Sequence, residues 1–251
     1  MAGTALPGGL TTRRTWRSAT LMERRVESSS AHTLVFEVEG WPEHLPGQHL
    51  DLRLTAEDGY QAARSYSLAA PSDGTRVEIT VQRTTNGEVS PFLTDVLMVG
   101  DVVEVRGPIG GWFVWRPESA GAVLLIGGGS GIVPLMSMIR ARPRDSMASF
   151  RLLYSVRMPH DRLYVDELEH HSAETTGVDV SWIYTRFTSD SGGRPAGRLS
   201  MADLHAHGWP AKTKPSCYVC GPTGFVESAA SLLLAAGHDE SQIKTERFGG
   251  V

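Results

Sequence analysis

The stretch Ala122–Arg140, AVLLIGGGSGIVPLMSMIR, restricts the fold more than any other part of the chain. It begins with a continuously apolar run, Ala122–Ile126, too uniform for a strand with one wet face, so both faces must be covered. Four glycines within Gly127–Gly131 follow, and then Ile132, Leu135, Met136 and Ile139 recur at helical spacing. Strand, glycine turn and helix in that order predict a parallel sheet flanked by helices. The same alternation continues downstream. FRLLYSV and VDVSWIYT read as strands, with DELEHH between them as helix. SCYVCG reads as a further strand, followed by a helix over 225–236 with Ala229, Leu232, Leu233 and Ala236 along one face.

The first half of the chain has a period of two instead. TLVFEV puts Leu34, Phe36 and Val38 on one face, and LDLRL does so with Leu50, Leu52 and Leu54. VEITVQ alternates through Val77, Ile79 and Val81, and VVEV offers Val103 and Val105. Turn residues separate these runs: Pro46–Gln48, Glu57–Gly59, Ser72–Gly74 and Val99–Asp101. Short strands at such spacing predict an antiparallel barrel. RPESAG, Arg116–Gly121, reads as the linker where one pattern gives way to the other. The expected architecture is therefore a flexible tail over 1–14, a barrel domain over 15–116 and an α/β domain over 121–251.

Composition excludes several classes of function. Hydrophobic residues at 41% and charged residues at 21% suit a chain that buries a core rather than a disordered one. A net charge of −4 argues against a nucleic-acid binder, which would carry a basic excess. No apolar run is long enough to span a membrane, and the N-terminal sequence lacks the apolar segment of a secretory signal. A cytoplasmic monomer is expected. The two cysteines, Cys217 and Cys220, are spaced C-x-x-C, but three apart on a strand they face opposite sides and would not bridge. A structural zinc site would need a second ligand pair, and HH at 170–171 and H-x-H at 205–207 lie in polar segments, so no metal is expected.

Two stretches carry chemistry. In AARSYSLAAP the strand alternation sets Arg64 and Tyr66 on one face, a cation and an aromatic suited to something planar and anionic, or equally to a barrel rim. In GGGSG the backbone is stripped of side chains where a strand meets a helix N-terminus. There, free N–H groups and the positive dipole end suit a pyrophosphate; the alternative is a turn that only packs strand against helix. The spacing is not G-x-G-x-x-G, since the third glycine position falls on Ile132 or Pro134, and the Lys-Ser/Thr of an ATP-binding loop is missing.

Five separated motifs in order, PGQ (Pro46–Gln48), RSYS (Arg64–Ser67), GEVS (Gly87–Ser90), GGGSGIVP (Gly127–Pro134) and CGP (Cys220–Pro222), make the chain resemble the ferredoxin–NADP+ reductase superfamily from about Thr15 to Val251. The resemblance implies a β-plus-α/β protein: an N-terminal antiparallel FAD-binding barrel followed by a parallel-sheet NAD(P)-binding domain. It implies that Arg64 binds the flavin phosphate, that Tyr66 lies against the isoalloxazine, and that Ser67 hydrogen-bonds near the flavin N5, with Ser65 in the same motif. Gly87, Glu88, Val89 and Ser90 match the segment cradling the rest of the dinucleotide, which favours FAD over FMN. Gly128, Gly129, Ser130 and Gly131 match the NAD(P)H pyrophosphate turn. Cys220, Gly221 and Pro222 match the nicotinamide pocket, where Cys220 would position rather than react; its alternative is a small buried apolar residue.

Near the C-terminus, Glu246 and Phe248 fall where the family sets an aromatic against the flavin, so Phe248 would be either a gate over the ring or a packing anchor. Ser155, Arg157, Thr185 and Arg186 stand where adenine-ribose charge is read, which favours NADPH over NADH, though arginines at such loop positions are often simply solvated. The implied activity is hydride transfer from NAD(P)H to FAD, then electron release to a separate acceptor: a ferredoxin, a flavodoxin, an oxygenase component, a haem protein or a molybdenum enzyme. Two cysteines cannot hold a plant-type iron–sulfur cluster, so none is expected in this chain. The rival readings are an NAD(P)H:flavin reductase and a non-catalytic flavoprotein subunit.

Overall fold

The computed structural model describes residues 15–173, 177–188 and 194–249. The tail expected over 1–14 and the last two residues lie outside them. Six antiparallel strands form the first sheet: β1 (Arg17–Ser28), β2 (Ala31–Glu37), β3 (His49–Thr55), β4 (Gln61–Ser67), β5 (Arg76–Gln82) and β6 (Val102–Ile109), in the order β4-β3-β6-β1-β2-β5. All the expected strands are present, and β1 is an addition. Its register with β2 shifts between Leu21 and Glu23, a bulge that breaks the alternation by which a strand is read from sequence.

The edge strands β4 and β5 meet only at one end. Leu68 bridges Ile79, and the Ala69 N–H donates to the Glu78 carbonyl at 2.8 Å. Beyond that point they part, and the helical turn α1 (Val89–Pro91), continuing into a wide turn at Phe92–Val96, packs between them. The result is a barrel with a cleft along the inner face of β4.

The second sheet is parallel, ordered β11-β10-β7-β8-β9: β7 (Gly121–Gly128), β8 (Ala148–Val156), β9 (Val178–Tyr184), β10 (Ser216–Pro222) and β11 (Ile243–Phe248). Helix α2 (Ile132–Ala141) follows the glycine turn, with α3 (Val165–Ala173), α4 (Met201–His207) and α5 (Thr223–Ala235) completing the layers. Pro134 sits in the first turn of α2, where its missing N–H costs no helical bond. Every residue of α2 from Ile132 to Ile139 is buried. The helix is thus enclosed by both domains, and the core bears this out: Ala31, Ala69, Phe113 and Trp115 of the first half pack in one cluster with Leu125, Met136, Met138 and Ile139 of the second. Cys217 and Cys220 fall in different core clusters on opposite faces of β10, both as free buried thiols.

Candidate active site at the facing ends of the two sheets

β4 pairs with β3 so that Tyr66 lies opposite Leu50 and Arg64 opposite Leu52. Both side chains therefore share the inner face along the cleft. Ser65 points the other way and donates its hydroxyl to Asp51 at 2.7 Å, so only its backbone runs along the cleft. Burial raises the Tyr66 phenol above its ordinary value and keeps it neutral. Arg64 is exposed and donates to the Ala63 carbonyl at 2.7 Å. Its nearest acid is Glu88, at 4.0 Å, which also accepts from the Tyr60 hydroxyl at 3.3 Å. Tyr60 gave no sequence signal, because it lies in a turn outside any motif.

Within Gly87–Ser90, the Ser90 hydroxyl is already committed: it accepts from the Thr84 N–H at 3.1 Å and meets the Thr84 hydroxyl at 2.7 Å. A Cβ on Gly87 would lie 2.2 Å from Thr84 Oγ1, so glycine permits this tight loop. Val89 and Ser90 are buried, and no side chain caps the turn they open. Gly87 and Ser90 shape the segment; what it presents to the cleft is backbone and Glu88.

The C-terminal end of β4 reaches the second sheet. Ser67 donates to Glu246 Oε1 at 3.4 Å across 179 residues of sequence. Parallel register sets Glu246 beside Cys220, and Cys220 beside Gly127. Three chain-distant residues, Ser67, Cys220 and Glu246, thus converge. Burial pushes the Glu246 carboxyl from 4.5 up to about 7, against the opposing effect of the Ser67 hydrogen bond. Burial, and then the charge of Glu246, push the Cys220 thiol well above its usual value, so it stays protonated and is no nucleophile. Phe248 pairs with Pro222 at the same edge. It is 36% exposed.

The glycines divide their work. A Cβ on Gly131 would lie 2.2 Å from the Cys220 carbonyl oxygen, and one on Gly128 would lie 2.6 Å from the Phe225 ring, so these two allow β10 and α5 to pack closely. Gly129 has φ +56° and open space where a side chain would project. No side chain caps the turn Gly129–Gly131 or the α2 N-terminus behind it. Close packing thus accounts for Gly128 and Gly131, while Gly129 and the helix start leave backbone uncovered. Phe225 was missed because helical spacing does not reveal what the first turn of α5 touches. At the far side of the same edge, buried Ser155 lies beside Gly128 in register. The Thr185 and Arg186 N–H groups bond to the Val156 and Arg157 carbonyls. Arg157 and Arg186 stand exposed on neighbouring strand ends, and among the described residues neither side chain has an ion-pair or hydrogen-bond partner.

Residues 18–114 match the family model described as oxidoreductase FAD-binding domain, and residues 125–231 match that described as oxidoreductase NAD-binding domain. The chain belongs to the ferredoxin–NADP+ reductase superfamily. It is 32% identical over 210 residues to the glycine betaine monooxygenase reductase subunit of Chromohalobacter salexigens, covering 81% of this chain and 56% of that protein. It is 30% identical over 236 residues to a flavohemoprotein of Pseudomonas putida, covering 93% and 59%. Among solved structures, the flavohem-like FAD/NAD binding domain of nitric oxide dioxygenase from Vibrio cholerae superposes with a TM-score of 0.81 at 27% identity, covering 93% of this chain and 99% of that domain. The chain thus spans little more than half the length of the curated relatives named. No helix among the described residues is long and apolar enough to cross a membrane.

Proposed function

We propose that the chain is an FAD-dependent NAD(P)H reductase that hands its electrons to a separate acceptor protein. The observation that carries this reading is the meeting of Ser67, Cys220 and Glu246 between the ends of β4, β10 and β11, where the two cofactor-binding halves face each other. The residues present fit both cofactors. Arg64, exposed and weakly paired, suits a flavin phosphate; Tyr66 offers a neutral aromatic wall; Gly129 and the uncapped α2 N-terminus suit a pyrophosphate. When bound, FAD would supply a two-electron acceptor for a nicotinamide hydride and a store from which electrons leave.

The chain's own part is positioning. Tyr66 and the closely packed glycine turn hold the two rings' surroundings, and Ser67 supplies a hydroxyl at the junction. Glu246, with its carboxyl near neutrality, can hold or release a proton at Oε1 beside Ser67. Cys220, as a neutral buried thiol, shapes the pocket with Gly221 and Pro222. Phe248 serves as a movable cover at this edge, in keeping with its exposure. Arg157 and Arg186, exposed on neighbouring strand ends and without side-chain partners among the described residues, favour the 2′-phosphate of NADPH over a free ribose hydroxyl. Oxygenase-reductase names among the relatives support an oxygenase component as the acceptor class.

Anaerobic titration of the FAD-loaded protein with NADPH and then NADH, followed in the visible spectrum, tests the reading. Bleaching by NADPH at lower concentration than by NADH is expected. A yellow protein that neither nucleotide bleaches would refute it.

A further inference from the structure

One largely buried cation links the two halves. Arg140 lies in the last turn of α2, with its side chain only 17% exposed. Within its own domain it forks onto Glu167 of α3, Nε to Oε1 at 2.8 Å and an Nη to Oε2 at 2.6 Å. Its other Nη crosses the seam, donating to Glu78 Oε1 of β5 at 2.5 Å and to the Ala69 carbonyl at 2.9 Å. Glu78 also binds Arg25 of β1, so both ends of the clamp are anchored.

The neighbours reinforce this arrangement. The guanidinium lies 5.1 Å from the Tyr164 ring centroid, and the Tyr164 hydroxyl donates across the seam to Thr80. Tyr164 holds φ at +56°, a left-handed conformation that a non-glycine residue keeps only where its surroundings enforce it. Here the enforced backbone aims the ring at the barrel. From the barrel side, His44 Nδ1 accepts from the Trp41 indole at 3.1 Å, so its Nε2 carries the proton and donates to the Ala70 carbonyl at 2.9 Å. Ala69 and Ala70 are thus pinned in succession, directly after Ser67 and Leu68.

The position of Arg140 along α2 gives these contacts their meaning. The helix begins at the glycine turn, beside Cys220, and carries Arg140 in its last turn, about 12 Å further along. One rigid element therefore carries the pyrophosphate turn at its head and grips the segment after Ser67 at its tail. We infer that Arg140 is a positioning residue for hydride transfer, fixing the nicotinamide half against the strand end that carries Ser67. It touches neither ring and acts through Ala69 and Glu78. The inference rests on the proposed reductase activity.

The test is stopped-flow flavin reduction with FAD-saturated protein, comparing wild type with Arg140→Met and Glu78→Gln. The second variant weakens the grip across the seam without stranding a charge, since Arg140 keeps Glu167 and Arg25 keeps Glu23, so it reports if Arg140→Met does not fold. Because small displacements of reacting groups cost up to about a hundredfold, the limiting reduction rate should fall at least about tenfold. FAD and NADPH dissociation constants should stay within about twofold, since Arg140 lies outside the cofactor motifs and at the opposite end of α2 from the glycine turn. The long-wavelength band of the nicotinamide–flavin contact should weaken in parallel. Arg140→Lys, which keeps the charge but loses the fork, should restore only part of the rate.

Variants whose reduction rate matches wild type would overturn the inference, as would a rate loss matched by an equal loss of cofactor affinity. If wild type itself is not bleached by either nucleotide, the proposed function fails instead.

Discussion

Glu246 gives a quantitative handle on the junction between the domains. Its carboxyl is held protonated up to about 7 in the folded protein and loses its proton near 4.5 when exposed. A folded-state pKa raised in this way favours the native state at low pH. The contribution is complete below 4.5, declines as pH rises, and is gone above about 7. The interval between those values corresponds to about 3 kcal/mol of folding free energy.

Glu246→Gln keeps the shape and still accepts from Ser67, but it cannot titrate. Relative to wild type, the variant should therefore gain about 3 kcal/mol of stability between about pH 4.5 and pH 8. Urea unfolding of both proteins across that range, at fixed FAD concentration, measures the difference directly. Parallel stability curves for wild type and variant would show that the carboxyl is not buried against Ser67 and would refute the reasoning.

Arg64→Ala should weaken FAD binding by about tenfold or more, the usual loss for a charge-assisted phosphate contact, whereas Glu88→Gln should tighten it a few-fold by freeing Arg64; flavin fluorescence titration measures both. Replacing Arg157 and Arg186 together by Ala should raise the KM for NADPH about tenfold while leaving that for NADH nearly unchanged, as steady-state assays with each nucleotide would show. Gly131→Ala should lower stability by about 1–3 kcal/mol, seen as an earlier thermal midpoint, because the new methyl would press on the Cys220 carbonyl and part β10 from α2.

Period and turn chemistry made most of this fold legible. The uniform run Ala122–Ile126 could only be a strand covered on both faces, and it lies in β7 between β10 and β8. The alternating runs of the first half became β2, β3, β5 and β6 for the same reason. β1 escaped because its bulge near Met22 and its many charged residues erase a period of two. Arg64 and Tyr66 were visible as a strand face, with Ser67 in the same motif, but the partners that decide their chemistry were not. Nothing local in the sequence puts Glu246 against Ser67, or Glu88 beside Arg64. In the sequence Arg140 is a cation near the end of a helical run, a place the helix dipole favours in any protein. Only the packing of α2 between both domains turns it into a buried link, and that depends on tertiary contacts that no window of sequence contains.

The most direct test of the account is a comparison of flavin bleaching rates with NADPH and with NADPH deuterated at the transferable C4 position, under anaerobic conditions and single turnover. Direct hydride passage at the junction of Ser67, Cys220 and Glu246 predicts bleaching that slows by about two- to fivefold with the deuterated nucleotide, since breaking that bond then limits the step. Absence of bleaching with either form would contradict the central claim that these two halves bring nicotinamide and flavin together.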